Sequence, residues 1–130
     1  MIGLDTNVVV RFLVQDDPVQ SPLATRAFER LTDDRPGFIS DVVMVETAWV
    51  LERAYGFGRR EIASAIESLL SASSIIVEKE QDVFVAMVAL RDGIGSFADA
   101  LIGVVGASAG CLHTLTFDRK ALQLAGFTGL

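Results

Sequence analysis

The chain has 130 residues, with 17 acidic against 11 basic side chains, a formal net charge of −6 and a pI near 4.6. A hydrophobic content of 51% and a mean hydropathy of +0.44 exclude a disordered acidic tail, which needs low hydrophobicity. The low pI excludes a nucleic-acid binder that works through a broad basic surface, although nine Arg against two Lys make the positive charge mostly fork-shaped and phosphate-matching.

At this length a single domain over residues 1–130 is expected. Ile2–Asp5 predicts a short apolar strand and about Asn7–Val14 a helix, broken at Asp16-Asp17-Pro18. Pro22–Leu31 carries Leu23, Ala27, Phe28 and Leu31 at helical spacing. After the turn cluster Asp33–Gly37, Phe38–Ser40 predicts a second strand, and Asp41 a helix N-cap for a run to about Tyr55 that Gly56 and Gly58 close. Arg59–Ser71 predicts a helix, Ile75–Val77 a third strand, and Gln81–Asp92 and Phe97–Gly110 two more helices. Leu112–Phe117 predicts a fourth strand and Arg119–Ala125 a last short helix. Strands alternating with helices, without hairpin turns, predict a three-layer α/β fold with a mainly parallel central sheet of four or more short strands flanked by helices.

Cys111 is the only cysteine and His113 the only histidine, so neither a disulfide within the chain nor a Cys/His zinc pattern is available. His113 lies in the fourth predicted strand and reads as a partly buried structural residue. The N-terminus has no basic leader, and the apolar stretch Ala100–Leu112 falls short of the roughly 20 residues that span a bilayer. A soluble, cytoplasmic protein is expected, without membrane contact.

In open parallel sheets, ligands bind outside the carboxyl ends of the strands. Asp5 ends the first predicted strand, Asp118 follows the fourth, and Asp99 lies in the first turn of the helix beginning near Phe97. Each also suits an N-cap or a helix-dipole partner. Glu46 differs, because its neighbours at helical spacing are Val42, Val43, Trp49 and Val50. A carboxylate in an apolar stripe is costly unless it binds a metal or is paired, here with Arg53 or Arg11. Converging carboxylates repel one another unless a cation sits among them, and oxygen ligands without Cys or His select Mg²⁺ or Mn²⁺. Thr6, Asn7 and Thr116 stand beside these acids and suit hydrogen bonds that hold a carboxylate in place, or local turn duty.

Ile2-Gly3-Leu4-Asp5-Thr6-Asn7, the mid-helix Glu46, Phe97-Ala98-Asp99-Ala100-Leu101-Ile102 and Thr116-Phe117-Asp118-Arg119 resemble, in order and spacing, the PIN-domain ribonucleases. The likeness is greatest to the VapC-type toxins of toxin–antitoxin pairs and covers essentially the whole chain. It implies a metal-dependent endoribonuclease in which Asp5, Glu46, Asp99 and Asp118 hold Mg²⁺ or Mn²⁺ and a metal-activated water hydrolyses an RNA phosphodiester. It matches Thr116 and Asn7 to polar residues that accompany the last and first acids. Many relatives carry an acid where this chain has Ser96, which implies one ion or a site completed by substrate. It further implies a cognate VapB-like antitoxin and a homodimer.

Phosphate contacts are expected from Arg11, Arg53, Arg59, Arg60, Arg119 and Lys120, each of which also suits a solvated surface. Two other readings compete. A phosphatase or receiver-like phosphotransfer protein would want an acid where Asn7 stands, or an acidic pair after the first strand. A non-catalytic binding module on the same fold would use the acids only to dock a basic partner.

Overall fold

In the computed structural model, which describes residues 1–130, strand β1 (Ile2–Gly3) runs parallel to β2 (Gly37–Ile39), and β2 parallel to β3 (Ile75–Val77). The register sets Ile2 opposite Gly37 and Ile39 opposite Val77. Helices α1 (Thr6–Val14) and α2 (Gln20–Glu29) connect the first two strands; α3 (Asp41–Arg53) and α4 (Arg59–Ser71) connect the second and third. Helices α5 (Glu80–Arg91) and α6 (Phe97–Ser108) follow as a packed pair. The chain ends in β4 (Thr114–Thr116), a 3₁₀ turn at Ala121–Gln123 and β5 (Phe127–Gly129).

Burial follows the helical period. Ile62, Ala63, Ile66 and Leu69 of α4, Val83, Ala86, Met87 and Leu90 of α5, and Met44, Ala48 and Leu51 of α3 turn inward onto Ile39, Val77 and Val9. The helix ends are set by local chemistry. Gln15 adopts a left-handed conformation (φ 58°) that stops α1, and its side-chain amide donates to the Phe12 carbonyl. Ser40, rather than Asp41, caps α3 by accepting the Val43 amide, while Asp41 becomes the first helical residue.

The α/β class and the parallel pairing are as expected, but the strands divide. The fourth strand does not extend the sheet; it pairs in parallel with β5, a strand that periodicity did not predict, to make a separate two-stranded sheet. Leu124 and Ala121 bury in front of β5, and Phe127 sets its ring where a Cβ on Gly103 of α6 would stand, so the C-terminal segment turns back beside β4. The apolar row Leu115 and Phe117 is consequently exposed, at 55% and 83%. Instead of a helix over Arg119–Ala125 there is the single 3₁₀ turn, which Leu124 ends in extended backbone. His113 is exposed rather than partly buried, and Cys111 is exposed. No helix is long and apolar enough to cross a membrane.

Candidate active site

Three of the four expected acids line one cleft. Glu46 enters it from α3, Asp99 from the first turn of α6, and Asp118 from the turn after β4. The cleft holds about 910 Å³ and is also lined by Trp49, Glu52, Arg53 and Lys120. Asp5 is not on its wall. It stands at the β1–α1 junction with an exposed side chain that makes no cap hydrogen bond. The link between that junction and the cleft is the next residue: the buried Thr6 hydroxyl donates to Glu46 Oε1 across 3.3 Å.

Two of the acids in the cleft, Asp99 and Asp118, are held by local hydrogen bonds at their own backbone. Ser96 Oγ accepts the Asp99 amide at 3.1 Å and thereby caps α6, so Ser96 fixes the helix that carries the acid. Thr116 Oγ1 accepts the Asp118 amide at 3.0 Å, and Asp118 Oδ1 accepts the Lys120 amide at 2.9 Å. This is a hydroxyl turn followed by an Asx turn, and it aims the acid from the end of β4. Glu46 corrects the sequence reading. It is exposed, not buried in an apolar stripe, because its neighbours Val42 and Trp49 are themselves 67% and 58% exposed. Its partner is Thr6, and neither Arg53 nor Arg11 forms an ion pair with it.

A hard divalent cation suits this donor set in kind, since every candidate ligand is oxygen. In position the acids stand apart: no three Asp, Glu, His or Cys side chains close on a common point. Glu46, Asp99 and Asp118 share a wall without sharing a vertex.

The basic residues separate into two groups. Arg53 lines the cleft with its guanidinium 5.6 Å from the Trp49 ring centre, and Lys120 lies beside Asp118. Arg11 does not serve the cleft. It donates to Gln20 Oε1, Asp16 Oδ1 and the Tyr55 hydroxyl, a clasp that ties α1 to the start of α2 and the end of α3. Arg59 also lines the cleft, but its guanidinium donates to the carbonyls of Leu90 and Gly95, at 3.3 and 2.6 Å, and so pins the α5–α6 connection from the start of α4. Arg60 and Arg119 are exposed and lie off the cleft wall. Asn7 also departs from expectation: it faces the groove between α1 and α2, with Leu23 and Ala24.

The perturbed titrations lie outside the cleft. Burial, and then the neighbouring Glu78, raises the Asp41 carboxyl above its ordinary value, against the opposing pull of Lys79 at 3.5 Å. Backbone amides of Gln20 and Val19 lower Asp17. Burial, and then Asp16, raises the Tyr55 phenol. Trp49, which the sequence offers only as an apolar neighbour of Glu46, lines the cleft in its own right; an aromatic three positions beyond Glu46 on the same helix is the signal for it.

Comparison with known proteins gives matches of three kinds. The family model described as PIN domain matches residues 2–126. A VapC ribonuclease of Aquifex aeolicus is 25% identical over 122 residues, covering 93% of this chain and 90% of the relative. The crystal structure of VapC20 of Mycobacterium tuberculosis, described as a Sarcin-Ricin loop cleaving toxin, is similar at 24% identity and a TM-score of 0.49, covering 98% of this chain and 97% of that one.

Proposed function

The chain belongs to the PIN-domain family, and on that premise we propose that it is a single-domain, Mg²⁺- or Mn²⁺-dependent endoribonuclease of the VapC type. The reading rests on one observation: Glu46, Asp99 and Asp118, from three separate elements, line a single cleft open to a large polymer. The VapC ribonuclease matched over nearly its full length supports it.

Asp99, Asp118 and Glu46 would hold the cation, with Asp5 joining from the β1–α1 junction beside Thr6. When bound, a divalent cation in such a site polarises the phosphodiester and lowers the pKa of water. The chain's own residues do the positioning. Ser96 and Thr116 fix the backbone beneath Asp99 and Asp118, and Thr6 orients Glu46 toward the cleft. Arg53 and Lys120 supply positive charge along the same wall for the RNA backbone. No protein nucleophile is needed, in keeping with an exposed Cys111 and an exposed His113 that lie off the cleft wall. A cognate VapB-like antitoxin, a homodimer and action in the cytoplasm, where the RNA is, complete the proposal.

The separation of the acids favours one competing reading, a non-catalytic binding module on the same fold. One experiment distinguishes them. Purified protein is incubated with structured RNA and Mg²⁺ or Mn²⁺, with and without EDTA, beside Asp5→Asn and Asp99→Asn variants. Cleavage that needs the metal and is lost in both variants is the expected result. Wild type that leaves RNA intact under every metal condition would favour the binding module.

A further inference from the structure

From the cleft we infer that Trp49 is a stacking platform for one unpaired nucleobase next to the cleaved phosphate. The inference rests on the ribonuclease reading above and deepens it.

Trp49 is the only tryptophan in the chain, and 58% of it is exposed. A ring placed for the core is buried, as Phe97 is at 3% exposure in the same cleft wall. Trp49 instead stands three positions beyond Glu46 on α3, on the wall shared with Asp99 and Asp118. A base held there is one helical turn from a carboxylate of the proposed metal site.

The charge around the ring points to a nucleotide. Arg53 sits 5.6 Å from the ring centre, and Lys120 is on the same wall. A guanidinium beside an indole pairs a phosphate-matching fork with a π-face, the combination that proteins use to bind single strands: bases stack on the ring while cations follow the backbone. Every base has a π-face, so such a platform selects for unpaired structure more than for sequence. In duplex RNA the bases are already stacked, and their faces are closed to a side chain.

The single tryptophan also makes the test direct, since emission excited at the red edge of absorption reports Trp49 alone. Titration of the full-length Asp99→Asn variant with a short single-stranded RNA is expected to quench that emission saturably. The same sequence annealed into a blunt duplex is expected to leave it unchanged. In wild-type background, Trp49→Ala is expected to raise KM for single-stranded RNA roughly tenfold with kcat little altered, and Trp49→Phe to recover most of the loss. Because the ring is mostly exposed, both variants should keep the wild-type circular dichroism spectrum, which is checked first.

Equal quenching by duplex and single strand would overturn the inference, as would an unchanged KM in Trp49→Ala. Quenching that follows protein concentration rather than RNA would assign the ring to contact with another protein copy and overturn it too. Wild type that cleaves no RNA defeats the ribonuclease reading itself, whereas wild type that cleaves while Trp49→Ala cleaves identically defeats only the platform.

Discussion

The Thr6 hydroxyl donates to Glu46 Oε1 across 3.3 Å, joining residues 40 positions apart. It is the hydrogen bond that ties the β1–α1 junction, where Asp5 stands, to the acid on α3. Thr6→Val keeps the shape and removes the donor. The fold should lose about 1 kcal/mol, and cleavage should fall 10- to 100-fold, the usual cost of removing a group that orients a metal ligand. Thr6→Ser should restore most of the activity. Single-turnover cleavage rates of the three proteins check this.

Cation binding should be visible without any substrate. A ligand that binds the folded state stabilises it by about 2.7 kcal/mol at a hundredfold excess over Kd. Thermal denaturation of wild type should therefore move upward with Mn²⁺. The shift should vanish in Asp99→Asn and Asp118→Asn and persist in Arg60→Ala, whose side chain lies off the cleft.

Arg59 anchors the connection that precedes Asp99. Arg59→Ala removes donors to two carbonyls, at Leu90 and Gly95, and should cost about 1–3 kcal/mol. Gly95 has φ 65°, and a Cβ there would meet Leu124 Cδ1 at 2.7 Å, so Gly95→Ala strains the same connection twice over. The two substitutions touch one segment and should be non-additive in a denaturant-unfolding double-mutant cycle. Faster amide exchange at residues 92–96 in either variant would locate the damage.

Asp41 makes stability depend on pH with a defined sign. Its carboxyl is raised from 3.8 in the folded protein by burial, so between the unfolded and folded pKa values the folded state holds more proton. The contribution is fully present below the unfolded value and is lost as pH rises through the folded one. Asp41→Asn, which has no charge to bury, should be more stable than wild type at neutral pH, with the advantage shrinking as pH falls through the raised folded value and gone below the unfolded value of about 4. Melting temperatures of both proteins across that range test it.

Much of the fold is legible in the sequence because it is local. Arg59–Ser71 forms α4 over its full predicted span, since apolar spacing and Glu61 reaching back to the Gly58 amide specify a start and a face together. The β-branched run Ile75–Val77 is likewise β3. The division of the sheet was not legible, because β5 has only three residues, and its pairing depends on where Leu124 and Phe127 lodge. The same distinction holds in the site. Local hydrogen bonds place Asp99 and Asp118 where the strand ends and helix starts suggested. The exposure of Glu46 and the engagement of Arg11 and Arg59 depend on distant partners, among them Tyr55, Leu90 and Gly95, that no spacing rule connects.

The division of strands into two sheets gives the molecule two thermodynamic layers. Asp5 and Glu46 belong to the body built on β1-β2-β3, while Asp118 arrives on the β4–β5 ribbon, which shares no strand pairing with that body. The ribbon is held by Leu124, Ala121 and the seat of Phe127 against Gly103. Such a unit opens sub-globally, at lower free energy than the core helices, and its amides at Thr114–Thr116 should exchange before those of α5. The population of molecules with Asp118 on the cleft wall beside Glu46 and Asp99 is then governed by docking of that ribbon, a local equilibrium that can shift while the rest of the protein stays folded.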